Sequence, residues 1–513
     1  MSLLAQLSTQ LLIGSERRAV QIPQASGDLA ELLQQLSADN SPTETQLLRA
    51  AGALAFYSQA GFQPLQAQFE LPPACADETL PILPDERLAE VLQQLIQTGP
   101  QRLLREVVNA IAQYQYLVPV KMLPALLTLG KSHPQLAPQI LALCGKRGVW
   151  LAQANDDWHY LLNQEQIIDK ALWEHGQQEQ RLLFIKHLRM SDPALARQLL
   201  AEALPESDAR TRSALLETLH GTLQADDEAF LTSLLTDRSR EVRNSLTALL
   251  STLPQGHYVE RMQTRMHACL SRERKLFRQH WQLSAPETFS SDWAADAIEE
   301  KRPSGEALGQ KAWWLFQLAR PLPLIWWQET LGLNPEQLID WARAGDWSLA
   351  LLRAWHQALV REKNGDWAEA FLLKTPFPDL DVDTLQLICL LPQEEAEGCW
   401  LSIFDGPGAD HRRGEFLNRI VQQDMPPSKK FARAIIKNIK KHLPDESSKW
   451  DYALRQALVD FACLIPADCF ADASQGWHLE DSNSQFFSET LARVLSTIEQ
   501  RQRLIQFLTS QSL

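Results

Sequence analysis

Six basic residues, Lys429, Lys430, Arg433, Lys437, Lys440 and Lys441, are spaced so that a helix would gather them on one face. At 100° per residue they cover an arc of about 120°. Phe431, Ile435, Ile436, Ile439 and Leu443 take the other side. The chain as a whole has a net charge of −14, so this is a local positive stripe on an acidic molecule. A row of such charges docks an acidic partner or phosphates. The solvated face of a packed helix gives the same pattern, and anionic lipid would gain only about 1 kcal/mol per basic side chain.

Other groupings carry less chemistry. Leu129-Gly130-Lys131-Ser132 imitates the end of a phosphate-binding loop, but that loop needs a preceding strand and a glycine where Ala125 stands. Gly130 reads better as a helix end. Neither Gly-x-Ser-x-Gly nor His-Glu-x-x-His occurs, and no Gly-x-Gly-x-x-Gly follows a strand. His411-Arg412-Arg413 sits in a Gly/Pro loop that reads as solvated. Asp156-Asp157 and Glu394-Glu395 are adjacent, so on helices they point apart and make no glycosidase pair. Seven cysteines are scattered without Cys-x-x-Cys, which suggests neither a zinc site nor a disulfide framework. Eight of the sixteen tryptophans lie between 313 and 367. Trp347, Leu351 and Trp355 are four apart, the spacing of a buried helix face rather than of a stacking platform for sugars or bases.

The elements that would position these groups read as helices throughout. Ser41-Pro42-Thr43-Glu44 has the form of a capping box, followed by Leu47, Ala51, Leu54 and Ala55 at helical spacing, with Gly61 as the stop. Asp85 to Thr98 repeats the logic and ends at Gly99-Pro100. Further helices are expected at 102–115, 119–129 and 134–144. Between 179 and 272, six helical stretches follow one another through short connections, which makes successive helices antiparallel neighbours. Each has one apolar face that it cannot bury alone. Within this run, Asp237 and Arg243 are six residues apart across a turn, similar to the signature of HEAT repeats; Glu206 and Arg212 keep the spacing, while Asp192 and Arg197 are five apart. Gly345-Asp346-Trp347 recurs as Gly365-Asp366-Trp367, read as a glycine ending one helix and an aspartate capping the next. The expected fold is all-α, an α-solenoid of antiparallel helix pairs. Its parts are an N-terminal helical domain (1–175), HEAT-like repeats (176–282), a linker (283–311) and a Trp-rich helical region (312–513).

Several stretches resemble a bacterial family, domain of unknown function 5691. They are Gly14-Ser15-Glu16-Arg17-Arg18, Leu48 to Tyr57, Leu123 to Leu127 and, most specifically, Cys144-Gly145-Lys146-Arg147-Gly148-Val149-Trp150-Leu151-Ala152 followed by Asn155 and Trp158. Read from the residues, Gly145 and Gly148 bracket a turn between two helices, Trp150 and Trp158 pack the next, and Asn155 hydrogen-bonds a backbone end. The resemblance implies a setting beside a MoxR-type AAA+ ATPase, a von Willebrand factor A-type protein and a SWIM zinc-finger protein.

These readings lead to a cytoplasmic, non-catalytic helical scaffold or adaptor for protein partners, the ATPase and the von Willebrand factor A-type protein first among them. No cofactor or metal and no membrane span is expected, and nucleic acid is a less favoured partner on so acidic a chain. The alternative is a nucleic-acid- or carbohydrate-binding module that uses the basic helix and the tryptophans. Far-UV circular dichroism should be dominated by helix; a spectrum demanding a sheet of four or more strands would overturn the architecture.

Overall fold

The computed structural model describes residues 3–13, 21–60, 73–133, 136–162, 170–275, 278–406, 408–477 and 484–511. The chain divides into two compact units, Met1–Ala74 and Cys75–Leu513. In the first, α1 (Leu3–Ile13), α2 (Asp28–Ala38) and α3 (Thr43–Ala60) bury Leu7, Leu29, Leu33, Leu47 and Leu54 between them. Ser41 donates its hydroxyl to Asp39 at 2.6 Å, and Arg49 pairs with the same carboxylate at 2.7 Å. Gly61 lies outside the described residues.

The second unit opens with α4 (Glu86–Thr98), α5 (Gln101–Gln113), α6 (Leu123–Ser132) and α7 (Ala137–Gln153), then the short α8 (Lys170–His175). Asp85 caps α4 by accepting the Leu88 N–H at 3.1 Å. α4 and α5 turn Leu88, Leu92, Leu103, Val107 and Ile111 inward, a stripe that follows from their three-and-four spacing.

The following helices are short: α9 (Gln178–Ser191), α10 (Pro193–Ala203), α11 (Ala209–Glu217), α12 (Asp227–Ser233), α13 (Arg240–Leu250) and α14 (His257–Ala268). Asp192 and Asp208 cap α10 and α11, accepting the Leu195 and Thr211 N–H groups at 2.9 and 2.8 Å. α9 packs on α10 and α11, α10 on α12, α11 on α13, and α12 on both α13 and α14. A buried carboxylate holds this packing in register. Asp227, 1% exposed at its side chain, accepts Arg189 Nη1 and Nη2 at 3.0 and 2.7 Å, Arg197 Nε at 2.7 Å and the Gln224 N–H at 2.9 Å. Arg189 also donates to the Thr222 carbonyl at 2.6 Å. One carboxylate thereby joins α9, α10, the turn after α11, and α12.

Two features depart from the expectations. The helix expected to reach 272 ends at Ala268, and an antiparallel hairpin follows: β1 (Leu270–Lys275) against β2 (Arg278–Leu283), with Leu270 opposite Leu283. The two residues between the strands, Leu276 and Phe277, include neither Asn nor Gly, so the sequence carried no turn signal. The segment 283–311 is a packed element rather than a spacer. Trp293, Ile298 and Leu308 are buried in it, and Asp296 takes Arg261 and Arg265 from α14 at 2.5 and 2.7 Å. One hydrophobic core runs from Trp173 across this segment to Leu387.

Beyond it come α15 (Gln310–Ala319), α16 (Leu324–Leu331), α17 (Pro335–Arg343), α18 (Ser348–Glu362) and α19 (Gly365–Leu373). Trp327, Trp355 and Trp367 are fully buried and meet edge to face at 5.3 Å, with Trp326 continuing the ladder at one end and Phe371 at the other. The repeated Gly-Asp-Trp works differently from its sequence reading. Asn364, one residue before Gly365, caps α19 by accepting the Trp367 N–H at 3.1 Å, and the left-handed residue ending α18 is Lys363 (φ 52°). The chain finishes with α20 (Thr384–Ile388), α21 (Gln393–Phe404), α22 (Arg413–Gln422), α23 (Lys429–His442), α24 (Glu446–Lys449), α25 (Tyr452–Ala462), α26 (Phe470–Ser474) and α27 (Ser488–Gln511). α27 packs on α4 and α5, so Leu504 and Phe507 share the core of residues 83–161, across the boundary expected at 175.

Asp227→Ala should lower the urea midpoint strongly. It leaves Arg189 buried without its counter-charge, a loss of about 3–5 kcal/mol for broken buried pairs. Hydrogen bonds from Arg189, Arg197 and Gln224 outweigh the opposing effect of burial and hold the Asp227 pKa below the ordinary carboxylate value. Its contribution is therefore complete above about pH 4 and is lost as pH falls through the depressed folded-state value. Acid unfolding monitored by circular dichroism should show a shallower acid limb for Asp227→Ala than for the wild type.

Candidate functional site

α23 forms because Ser428 caps it, accepting the Phe431 N–H at 3.2 Å, while Glu397 of α21 receives the Ser428 N–H at 2.7 Å and its hydroxyl. Phe431, Ile435, Ile436 and Ile439 bury its apolar face. Lys440, Lys441 and His442 fall in the last turn, where the helix dipole favours cations.

The six basic residues do not form one free stripe. Lys429 pairs with Asp468, Arg433 with Asp472 at 2.8 Å and with the Asp468 carbonyl at 3.1 Å. Lys440 donates to the carbonyls of Asp472 and Gln475 and lies 5.0 Å from the Trp477 ring centre. Burial lowers the Lys440 pKa, while the Lys429 ion pair lowers that of Asp468. These three occupy the first third of the arc, roughly 0–40° at 100° per residue, which faces α26 and the residues flanking it. Lys430, Lys437 and Lys441 occupy roughly 80–120°. They are exposed and have no hydrogen bond or ion pair among the described residues. The docking candidate narrows to this outer half. The acidic residues that divide it, Asp468 and Asp472, stand 39 positions downstream of Lys429 and Arg433 and carry no pattern linking them to the stripe.

Beneath α23 lies a polar core that the sequence did not advertise. Asn438 donates to Asp405 at 2.7 Å and accepts Arg413 Nε at 3.3 Å, and Arg413 is 3% exposed. Of the expected solvated loop, His411 and Arg412 remain exposed, and Arg412 pairs with Glu415 at 2.8 Å. Asp410, His442 and Asp445 bring ligand-type atoms within 4.8 Å of one another, but Arg413 holds Asp410 at 3.2 Å and His442 holds Asp445 at 2.7 Å.

The remaining sequence candidates sit elsewhere. The Asp237 carboxylate takes the Ser239 N–H at 2.7 Å and Arg212 of α11 at 2.9 Å. Arg243 instead donates to the Asp237 and Arg238 carbonyls, at 2.8 and 3.2 Å, and reaches Glu299 at 3.2 Å. Thus Arg212 is the ion-pair partner of Asp237, while Arg243 fastens the turn's backbone. Gly145 breaks α7 with φ 58°, and a Cβ there would stand 2.6 Å from Glu78 Oε2. That Glu78 carboxylate accepts the freed Lys146 and Arg147 N–H groups at 3.0 and 2.8 Å. Gly148 leaves room for Cys144, whose Cβ would be 2.3 Å from an added methyl. Trp150 is half-buried; Asn155 accepts the Asp157 N–H at 3.1 Å, and Trp158 packs against the N-terminal core of the second unit. Burial pushes the Cys144 and Cys463 thiols up to about 12, far from the range of a reactive thiolate.

A family model described as a family of unknown function (DUF5691) matches residues 6–508. The chain belongs to that family. No curated protein and no solved structure matches it. The Gly145–Trp158 motif that resembles the family is thus an anchored kink closed by Glu78, whereas Gly14 to Arg18 lie outside the described residues.

Arg433→Glu should lower the melting midpoint by placing a carboxylate against Asp472. Lys430→Glu, Lys437→Glu and Lys441→Glu together should leave it within about 2 °C, as exposed substitutions change stability little. Differential scanning calorimetry of the two variants checks the division of the arc.

Proposed function

We propose that this protein is a non-catalytic helical-repeat scaffold that docks an acidic surface of a partner protein on the outer half of α23, within a MoxR-type AAA+ ATPase and von Willebrand factor A system. The observation carrying the reading is the division of the stripe: on a chain of net charge −14, three adjacent lysines of one helix stay exposed and unneutralised while their neighbours on the same helix are paired. Support for the repeat reading comes from helices α9 to α14, each of which packs on a helix one or two places away along the chain. Five tryptophans of the Trp-rich region, Trp313, Trp314, Trp327, Trp355 and Trp367, are buried, which weighs against a carbohydrate or base platform built from them. Among the described residues no helix is long and apolar enough to cross a membrane.

The test is capture of the co-expressed ATPase and von Willebrand factor A-type protein by the wild type and by the Lys430→Glu, Lys437→Glu, Lys441→Glu variant. Wild-type capture should weaken between 0.1 M and 1 M salt, as the Debye length falls from ~10 Å to ~3 Å. The variant should lose capture at low salt with an unchanged melting midpoint. Equal capture by both removes α23 from the proposal.

A further inference from the structure

A cavity of about 160 Å³ opens between α13, the 297–306 segment, α15 and α18. Arg240, Arg243, Arg320 and Arg353 line it, with Glu299 and Glu306 as its carboxylates. A single oxygen of Glu299 serves Arg240 at 3.0 Å and Arg243 at 3.2 Å, and Glu306 serves Arg353 at 2.7 Å. Arg320 has no carboxylate partner among the described residues. Its Nη2 donates to the neutral Thr247 hydroxyl at 2.7 Å, and its guanidinium lies 6.0 Å from the Phe316 ring centre. Burial lowers its pKa, which expresses the same lack of compensation.

Four guanidinium groups thus face two carboxylates, an excess of two positive charges inside a concave, partly dehydrated site. The surroundings fix these groups in place. Gln317 accepts the Glu299 N–H at 2.7 Å and donates to its carbonyl at 3.1 Å, and Arg243 is tied to the Asp237 and Arg238 carbonyls. A half-buried cation without a counter-charge is costly, and an anion in the cavity would offset that cost.

We propose that this cavity binds a phosphate group, either as the free anion or as the end of a phosphate monoester. A phosphate monoester carries about −1.5 to −2 charges at pH 7, which matches the excess. Its oxygens accept in the geometry that the guanidinium fork donates. The volume is below the roughly 300–1,000 Å³ of pockets for drug-sized ligands, which suits one small anion. The site lies on other elements than α23, so it stands or falls independently of the docking proposal.

The test uses the full chain at constant ionic strength, made up with sodium chloride, and titrates inorganic phosphate, phenyl phosphate and acetate by calorimetry and thermal melting. Phosphate and phenyl phosphate should bind one per chain and raise the melting midpoint, while acetate leaves it unchanged. Tighter binding of phenyl phosphate assigns the monoester; binding of phosphate at least as tight assigns the free anion. Arg240→Gln and Arg353→Gln, both at partly exposed positions, should each weaken binding at least tenfold. Arg320→Met should abolish the phosphate-dependent rise; if it does not fold, the other two variants carry the test. An equal rise with acetate, or wild-type binding by Arg240→Gln and Arg353→Gln, would overturn the proposal.

Discussion

A carboxylate that has lost its water must be matched by donors on every side, and Asp227, on α12, is matched from three other elements at once. Two arginines and a backbone N–H saturate it, and Arg189 in turn takes the Thr222 carbonyl. Helices of seven to fourteen residues, as in α9 to α14, are marginal alone, because nucleation costs more than a few hydrogen bonds return. They persist by covering one another's apolar faces. Apolar cover alone tolerates sliding; a directional, buried ion pair does not. Arg212 with Asp237 and Arg261 with Asp296 repeat the device further along the chain. Each joins a helix to a turn or segment that follows it, so the register of successive helices is set by charge and their stability by leucines.

The arginine cavity is the place where this balance is left open. The arginines of these joints each meet an acid, whereas Arg320 meets a hydroxyl. The outer lysines of α23 make the same contrast at the surface, where solvent screens the charge and an unpaired cation is cheap.

Much local order was legible where it depends on neighbours in sequence, although the cap of α19 is Asn364 rather than the aspartate of Gly365-Asp366-Trp367. Asp85 before the Leu88, Val91, Leu92, Leu95 stripe marks its helix, and the Trp347, Leu351, Trp355 spacing marks a buried face, because caps and apolar periodicity act within a few residues. The hairpin at 270–283 was not legible, since its turn lacks the residues that announce one. Nor was the packing of 283–311, where Trp293, Ile298 and Leu308 are too widely spaced among prolines and serines to show a period. The site was half legible: the arc of α23 follows from sequence, but its division depends on Asp468 and Asp472, which only the tertiary fold brings to it. The same holds for Asp227, whose partners Arg189 and Arg197 lie 38 and 30 residues upstream.

If charge-keyed joints set the register of the helices, loosening one joint must spread to its neighbours and stop there. Hydrogen exchange followed by mass spectrometry on the wild type and Asp227→Ala measures this directly. The account predicts faster exchange in α9, α10 and α12, a smaller increase in α11 and α13, and unchanged protection in α21 to α23. A change confined to residues 222–228, or one spread evenly over the whole chain, would contradict it.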